Sequence, residues 1–186
     1  EEQPPSLPLP GKFVAVSVGD VSADGERNVV VLSQSPADAG RGRVTVYRQA
    51  LERGKVTLDV EKTPKNADKT FVTLESPASM AIGDMNGDGR NDLVVATRDV
   101  KDAGTVTVYT QDPSGVLVPG GPVVTTDPEP SLVTVGDSNG DGRNDILVLT
   151  QAPKDVGTAT LYLQDPGGAF TERIERGKFH KRLHDA

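Results

Sequence analysis

Residues 83–93 read GDMNGDGRNDL, and residues 136–146 read GDSNGDGRNDI. Each stretch is a polar, Gly-rich loop with a short, mostly apolar run on both sides of it. A loop of this kind between two short apolar runs is typical of a connection between two β-strands. These two loops therefore indicate the fold class and supply the candidate functional residues.

A third and weaker copy lies earlier in the chain, where residues 19–29 read GDVSADGERNV. The alignment continues after each loop, because a Gly and then a Tyr-x-Gln run follow at nearly constant distances. The glycines are Gly40, Gly104 and Gly157, and the tyrosines are Tyr47, Tyr109 and Tyr162. Agreement at several separated positions indicates three repeats whose length is close to that of a propeller blade. We expect the tyrosines to pack in the core or between repeats.

Four strands are predicted in each repeat. In the third they are Ser131–Val135, Asp145–Thr150, Thr158–Gln164 and Ala169–Ile174. Consecutive antiparallel strands joined by short turns form a meander, which is the shape of a propeller blade. The sequence therefore predicts an all-β fold of three four-stranded antiparallel propeller-like blades, either a partial β-propeller or half of an assembled one.

The predicted organisation has a tail at each end of the three blades. It consists of a Pro-rich N-terminal tail at 1–12, a first blade with a degenerate loop at 13–73, a second blade at 74–130, a third at 131–176 and a charged C-terminal tail at 177–186. Closed propellers have roughly four to eight blades. Three blades are therefore a fragment of a longer chain, a half that dimerises, or an open array, and the sequence does not choose between these.

Composition excludes several classes of function. The 186 residues carry a formal net charge of −7 and contain no Cys, so we expect neither a nucleic-acid partner nor a disulfide or thiolate site. No apolar stretch approaches the roughly 18 residues that span a membrane, so we expect no membrane insertion. The first residue is Glu1, so we expect that processing has removed any export signal. A secreted, periplasmic or cell-surface location is predicted.

Oxygen-bearing side chains occur at positions 1, 3, 5 and 9 of the loops that begin at Asp84 and Asp137. Calcium prefers six to eight oxygen ligands, and a divalent ion relieves the repulsion between crowded carboxylates. Ligation by oxygen alone argues against zinc and copper, and magnesium is the closer competitor. An EF-hand would need Glu at position 12, where Val95 and Val148 stand within strand-like runs.

The two full loops resemble the FG-GAP or VCBS repeat, the unit of integrin α-chain-type β-propellers. The resemblance covers most of the chain and implies a blade with calcium in the loop between its first two strands. Carried over by position, it implies as ligands the side chains of Asp84, Asn86, Asp88 and Asp92 with the Arg90 carbonyl, and the side chains of Asp137, Asn139, Asp141 and Asp145 with the Arg143 carbonyl.

The first loop has oxygens at the same four positions, in Asp20, Ser22, Asp24 and Asn28. Ser22 and Asn28 are neutral, and the charge of the ligands tunes calcium affinity. We therefore expect two calcium sites, and a third that is either weaker or a loop that holds its shape without metal.

The expected function is a non-enzymatic binding or scaffold module with structural calcium. A saturated oxygen cage leaves no open position for substrate, and the chain lacks a nucleophile-elbow or phosphate-loop motif. Its partners would be a protein or a glycan, or further copies bound through blade edges. The alternatives are a catalytic or non-catalytic portion of a larger exported, hydrolase-like enzyme, and a structural self-assembly repeat.

Overall fold

The computed structural model describes residues 11–34, 39–52, 55–60, 70–73, 76–98, 104–151, 156–173 and 179–180. These residues form strands joined by turns, and no helix occurs among them. In the described part of the chain there is accordingly no helix that could cross a membrane. The strands are β1 (Lys12–Gly19), β2 (Asn28–Gln34), β3 (Gly42–Glu52), β4 (Lys55–Val60), β5 (Thr70–Val72), β6 (Ser76–Gly83), β7 (Asp92–Arg98), β8 (Gly104–Gln111), β9 (Leu117–Thr126), β10 (Pro130–Gly136), β11 (Asp145–Gln151), β12 (Val156–Gln164), β13 (Phe170–Arg173) and β14 (Phe179–His180).

The strands form three antiparallel sheets, which confirms the predicted all-β fold of three propeller-like blades. The first sheet has the order β1-β2-β3-β4 with β5 also on β3, and the second has the order β6-β7-β8-β9. The third has the order β10-β11-β12-β13 with β14 also on β12. The sheets stack in chain order, since β6 packs on β1 and β2, and β10 packs on β6 and β7.

The fourth strand is where the blades differ. In the second blade β9 is continuous and follows β8 along its length, with a register shift between Thr107 and Tyr109. In the first and third blades two short strands share this place, β4 and β5 on β3, and β13 and β14 on β12. β14 lies within the segment predicted as a C-terminal tail; the rest of that segment, and residues 1–10 of the N-terminal tail, lie outside the described residues.

Among the described residues, most of the core forms two layers, one at each junction between neighbouring blades. Side chains alternate between the two faces of a strand, so β7 sends Leu93 and Val95 into the first layer and Val94 and Ala96 into the second. The first layer contains Val21, Val30, Leu32, Val44, Val46, Met80, Leu93, Val95, Tyr109 and Leu117. The second contains Met85, Val94, Ala96, Val106, Val108, Val124, Val133, Ile146, Val148 and Tyr162.

The repeated tyrosines are buried, as expected. Tyr109 lies in the first core layer and Tyr162 in the second. The Tyr162 hydroxyl donates a hydrogen bond across the junction to the Thr125 carbonyl at 3.2 Å. Tyr109 and Tyr162 therefore pack between blades, whereas Tyr47 is 4% exposed but belongs to neither layer.

A Gly at the end of the first strand lets the next blade approach closely. A Cβ on Gly19 would lie 2.8 Å from Ile82 Cγ2, and one on Gly83 would lie 2.7 Å from Val135 Cγ2. Because real Cβ atoms do not come so close to a carbon atom, each position needs the space that only glycine leaves. Each loop therefore sits beside a tight contact between two sheets.

Candidate metal centres

The Asp at position 1 organises each full loop through its carboxylate. Asp84 accepts hydrogen bonds from the amides of Gly87 at 2.7 Å and Gly89 at 2.8 Å. Asp137 accepts the equivalent bonds from Gly140 at 2.7 Å and Gly142 at 2.8 Å. All four glycines have positive φ, between 74° and 83°, which residues with a side chain rarely adopt. The glycine spacing thus wraps the loop around its first carboxylate.

The side chains at positions 1, 3 and 5 lie together on the exposed rim of the loop. The Asp88 amide donates to Asn86 Oδ1 at 3.0 Å and to Asp84 Oδ1 at 3.2 Å, so these two oxygens converge on one N–H group. Asn86 Nδ2 in turn donates to Asp88 Oδ2 at 2.9 Å. The third loop repeats these contacts among Asp137, Asn139 and Asp141.

The residue at position 7 contributes a side-chain contact that the sequence analysis missed. The Arg90 guanidinium donates to Asp88 Oδ2, and its Nε donates to the Gln111 carbonyl at the end of β8, at 3.1 Å. Arg143 clamps Asp141 to the Gln164 carbonyl in the same way. The recurrence of Arg two positions after the Asp of both loops is the signal that could have revealed this clamp.

The Asp at position 9 lies beneath the loop. Asp92 is fully buried and accepts two backbone hydrogen bonds at 2.8 Å, one from Met85 at position 2 and one from Gln111 at the end of the third strand. Asp145 is also buried and accepts amides from Ser138 and Gln164, both at 3.0 Å. Both carboxylates therefore already hold the loop to its own blade.

The carboxylates of the second loop are close enough to influence one another. Burial is the largest cause that raises the pKa of Asp92, and the charges of Asp88 and Asp84 raise it further against the two backbone hydrogen bonds. In the third loop, the hydrogen bond from the Gly142 amide is the main cause that lowers the pKa of Asp137. The second loop thus concentrates negative charge, which a cation would relieve.

Two features of each full loop suit a hard cation. The side chains offer oxygen atoms, and those of positions 1, 3 and 5 lie together. Each carboxylate oxygen has about two acceptor sites. Asp84 Oδ2 accepts only the Gly89 amide and Asp88 Oδ1 accepts only the Arg90 amide, so each of these oxygens keeps a lone pair. Within the described ranges, however, no three acidic or His side chains already have the arrangement of a metal-ligand cluster. A cation bound by Asp88 Oδ2 would compete with the Arg90 guanidinium for that oxygen.

The first loop has the same backbone wrap but no clamp. Asp20 accepts amides from Ser22 and Ala23 at 3.0 Å, while Asp24 accepts the Glu26 amide at 2.9 Å. Glu26 stands where the other loops have Arg, and Ala23 has a φ of 56° where they have Gly. Asn28, at position 9, is buried, and its Oδ1 accepts the Val21 amide at 3.0 Å. This loop holds its shape with less charge.

The residue at position 8 ties neighbouring blades together, which the sequence analysis also missed. Asn91 Nδ2 donates to the Asp20 carbonyl at 3.1 Å, and Asn144 Nδ2 donates to the Asp84 carbonyl at 2.8 Å. Each bond joins one loop to position 1 of the preceding loop. The sequence signal for this contact is the Asn that recurs at position 8 of the second and third loops. The first loop has Arg27 at that position.

Comparison with known families agrees with this geometry. Residues 84–148 match the family model described as an FG-GAP-like repeat. The match begins at position 1 of the second loop and continues through the third loop into β11, which confirms the resemblance noted from the two loops. No curated protein matches the chain.

Proposed function

Residues 84–148 form an FG-GAP-like repeat within a stack of propeller-like blades, and from this premise we propose that the chain is a calcium-binding β-propeller-type module. The observation that carries the proposal is the convergence of two side-chain oxygens, from positions 1 and 3, on the amide of position 5. It occurs with the same contacts in the second and third loops. Calcium has a structural role in this proposal, because it stabilises the loops that hold neighbouring blades together.

The ligands in this proposal come from the rim and the floor of each loop. In the second loop the rim ligands are the side chains of Asp84, Asn86 and Asp88 and the Arg90 carbonyl. The Asp92 carboxylate, beneath the loop, is the remaining ligand. The third loop uses Asp137, Asn139, Asp141, the Arg143 carbonyl and Asp145. When bound, calcium compensates the negative charges that Asp88 and Asp84 place near the buried Asp92.

Weak binding is expected, because the rim of each loop is exposed and the clamp competes for one of its oxygens. The Arg90 guanidinium already pairs with Asp88, and Arg143 with Asp141. Calcium sites of extracellular modules have dissociation constants of about 10⁻⁴–10⁻³ M, which suits calcium levels outside cells. We therefore place the module in a secreted or cell-surface protein, where it serves as a binding or scaffold element.

Calcium-dependent melting tests the proposal. With a dissociation constant of about 10⁻⁴ M, calcium at tenfold that concentration stabilises the folded state by about 1.4 kcal/mol per site. Two sites then raise the melting temperature by roughly 6–11 °C over the value in chelator. Magnesium at the same concentration should give a smaller rise, because it needs strict octahedral geometry and keeps its waters.

The double variant Asp88→Ala with Asp141→Ala should lose most of this rise. Asp112→Ala with Asp165→Ala is the matched control, because it also removes one carboxylate from each of two blades. Asp112 and Asp165 accept backbone amides in turns outside the calcium loops, so this control should melt earlier yet keep the calcium response. A full response in the first variant would refute the ligand assignment.

Calorimetric titration decides the state of the first loop. Two equivalents of calcium correspond to the two full loops, and a third, weaker equivalent corresponds to Asp20 and Asp24. Asp24→Ala should remove only that third equivalent.

A further inference from the structure

Each full loop contains an Asn that is followed directly by Gly. The pairs are Asn86-Gly87 and Asn139-Gly140, and no other asparagine of the chain precedes Gly. Because Gly has no Cβ, nothing on it hinders the approach of its backbone nitrogen to the side chain of the residue before it. An Asn-Gly pair is therefore the context in which an asparagine most readily loses its side-chain ammonia to attack by the next backbone nitrogen.

Both pairs lie on the exposed rim of their loops. Asn86, Gly87, Asn139 and Gly140 are all exposed. A Cβ on either glycine would meet no atom within 4 Å among the described residues. Water therefore reaches these amides, and each Asn side chain has room to turn towards the backbone nitrogen that follows it.

The hydrogen bonds of the second loop place a proton acceptor and a proton donor beside the reacting groups. Asp84 Oδ1 accepts the Gly87 N–H at 2.7 Å, which is within the reach of a general base. Asn86 Oδ1 accepts the Asp88 amide at 3.0 Å, so a donor already points at the oxygen on which negative charge develops. The third loop has the same two bonds, at 2.7 Å and 2.9 Å. The metal-free loop therefore contains the groups that the reaction uses.

We propose that Asn86 and Asn139 are sites of spontaneous deamidation, and that calcium in the loop slows the reaction. The Gly87 nitrogen loses its proton and forms a bond to Asn86 Cγ, and the bond from Cγ to Nδ2 breaks with release of ammonia. Water then opens the cyclic imide at either of its two carbonyls. The product at position 86 is Asp, or isoaspartate, in which the backbone runs through the former side chain. Asn139 reacts with the Gly140 nitrogen in the same way.

The dependence on calcium rests on the proposed function. Asp84 and Asn86 are both ligands in that proposal, so the proton acceptor and the amide carbonyl are engaged by the cation and are not free to take part in the reaction. Only the metal-free fraction of the loops then reacts. At calcium tenfold above its dissociation constant that fraction is about one in eleven, so the rate of deamidation should fall about tenfold.

The two products change the loop in different ways. Asp at position 3 adds a third carboxylate to the rim, beside Asp84 and Asp88, and more ligand charge raises calcium affinity. Isoaspartate inserts an extra carbon into the backbone before Gly87, so the Gly87 amide is displaced from the Asp84 carboxylate that accepts it. A loop that has been without calcium is thus altered permanently, because it either gains a charge or loses its backbone wrap.

Peptide mapping by mass spectrometry tests the sites, with the 186-residue chain incubated in chelator at neutral pH. Asn86 and Asn139 should convert to Asp and isoaspartate. Three other asparagines are internal controls and should stay intact. Asn28 is buried and precedes Val, while Asn91 and Asn144 precede Asp and donate their Nδ2 hydrogens to the preceding loop. Equal conversion at the controls would overturn the proposal, because neither the loop nor the following Gly would then select the site.

A short peptide of residues 82–90 gives the rate without the fold. If this peptide deamidates while Asn86 and Asn139 of the folded chain stay intact, the proposal is overturned, because the loop then protects its asparagines without metal. Asn86→Ser with Asn139→Ser should remove the acidic species that isoelectric focusing resolves in aged wild type, since Ser has no amide to lose. Asn91→Ser with Asn144→Ser is the matched control and should still form them.

The same incubation with calcium chloride tests the protection. At ten times the dissociation constant found by calorimetric titration, conversion at Asn86 and Asn139 should be about tenfold slower than in chelator. An unchanged rate while calorimetry shows bound calcium would overturn the protection and leave the proposed function standing. If calorimetry detects no binding, the proposed function and the protection both fail, whereas the peptide map in chelator decides the two sites separately.

Discussion

Replacement of Gly83 by Ala tests the packing between the second and third blades. Gly83 ends β6 and Gly136 ends β10, and neither has a positive φ, so Ala fits the backbone at both positions. A Cβ on Gly83 would lie 2.7 Å from Val135 Cγ2, whereas a Cβ on Gly136 would meet nothing within 4 Å. The same substitution therefore compares a position that packs against the next blade with a position that has open space beside it.

The two substitutions are expected to change the free energy of unfolding differently. Val135 is β-branched, so its χ1 rotation is restricted and it cannot easily turn away from the new methyl group. Overpacking typically costs about 1–3 kcal/mol, while Gly→Ala recovers about 0.4–1 kcal/mol by restricting the unfolded chain. Gly83→Ala should therefore lower the free energy of unfolding by about 1–2 kcal/mol. Gly136→Ala should leave it unchanged or raise it by up to about 1 kcal/mol.

Urea denaturation at micromolar protein concentration and in chelator measures this difference without contributions from association or metal. The slope of free energy against urea should stay constant, so that only the midpoints move. Gly19→Ala should resemble Gly83→Ala, because its Cβ would lie 2.8 Å from Ile82 Cγ2. Equal midpoints for Gly83→Ala and Gly136→Ala would refute the packing of Val135 on Gly83.

Three further predictions concern the loops. Replacing Arg90 and Arg143 by Gln should tighten calcium binding by up to about fivefold per site, because calcium no longer competes with an exposed ion pair worth about 0–1 kcal/mol. Calorimetric titration measures the affinity, and an unchanged or weaker affinity would contradict this prediction. Asp92→Asn should cost about 1–3 kcal/mol in urea denaturation, because its amide NH₂ would face a backbone N–H donor. Without calcium, an NMR titration should find the pKa of Asp92 above the usual Asp value, and Asp88→Asn should lower it. Since the folded pKa is raised, the stability from Asp92 is complete below the unfolded pKa and declines as pH rises through the folded value, so a depressed pKa would contradict the placement of this carboxylate.

Much of the fold was predictable because strand and loop signals are local. The predicted strand Asp145–Thr150 occurs as Asp145–Gln151, and the three loops join the first and second strands as expected. The short apolar runs and the glycine punctuation carry this information within a few residues. By contrast, the second short strand of each divided position, β5 or β14, pairs with part of the third strand more than 20 residues earlier and has no local signal.

The candidate sites were predictable in composition but not in arrangement. The positions of Asp84, Asn86 and Asp88 follow from the loop sequence, because their mutual hydrogen bonds span only two to four residues. The buried Asp92 accepts a hydrogen bond from the Gln111 amide, which is 19 residues away in sequence. The clamp from Arg90 to the Gln111 carbonyl spans 21 residues and depends on the same strand end.

The sequence by itself determined the repeat, the strand-loop-strand order and the oxygen-rich loops, since each depends on residue spacing along the chain. The tertiary structure decided which faces are covered, because burial depends on whether a neighbouring blade is present. Val18 and Ile82 occupy the same position of the repeat, and Ile82 packs on Gly19 while Val18 lies in solvent. Equivalent positions in a repeat have the same local structure, but their energetic role depends on what packs against them.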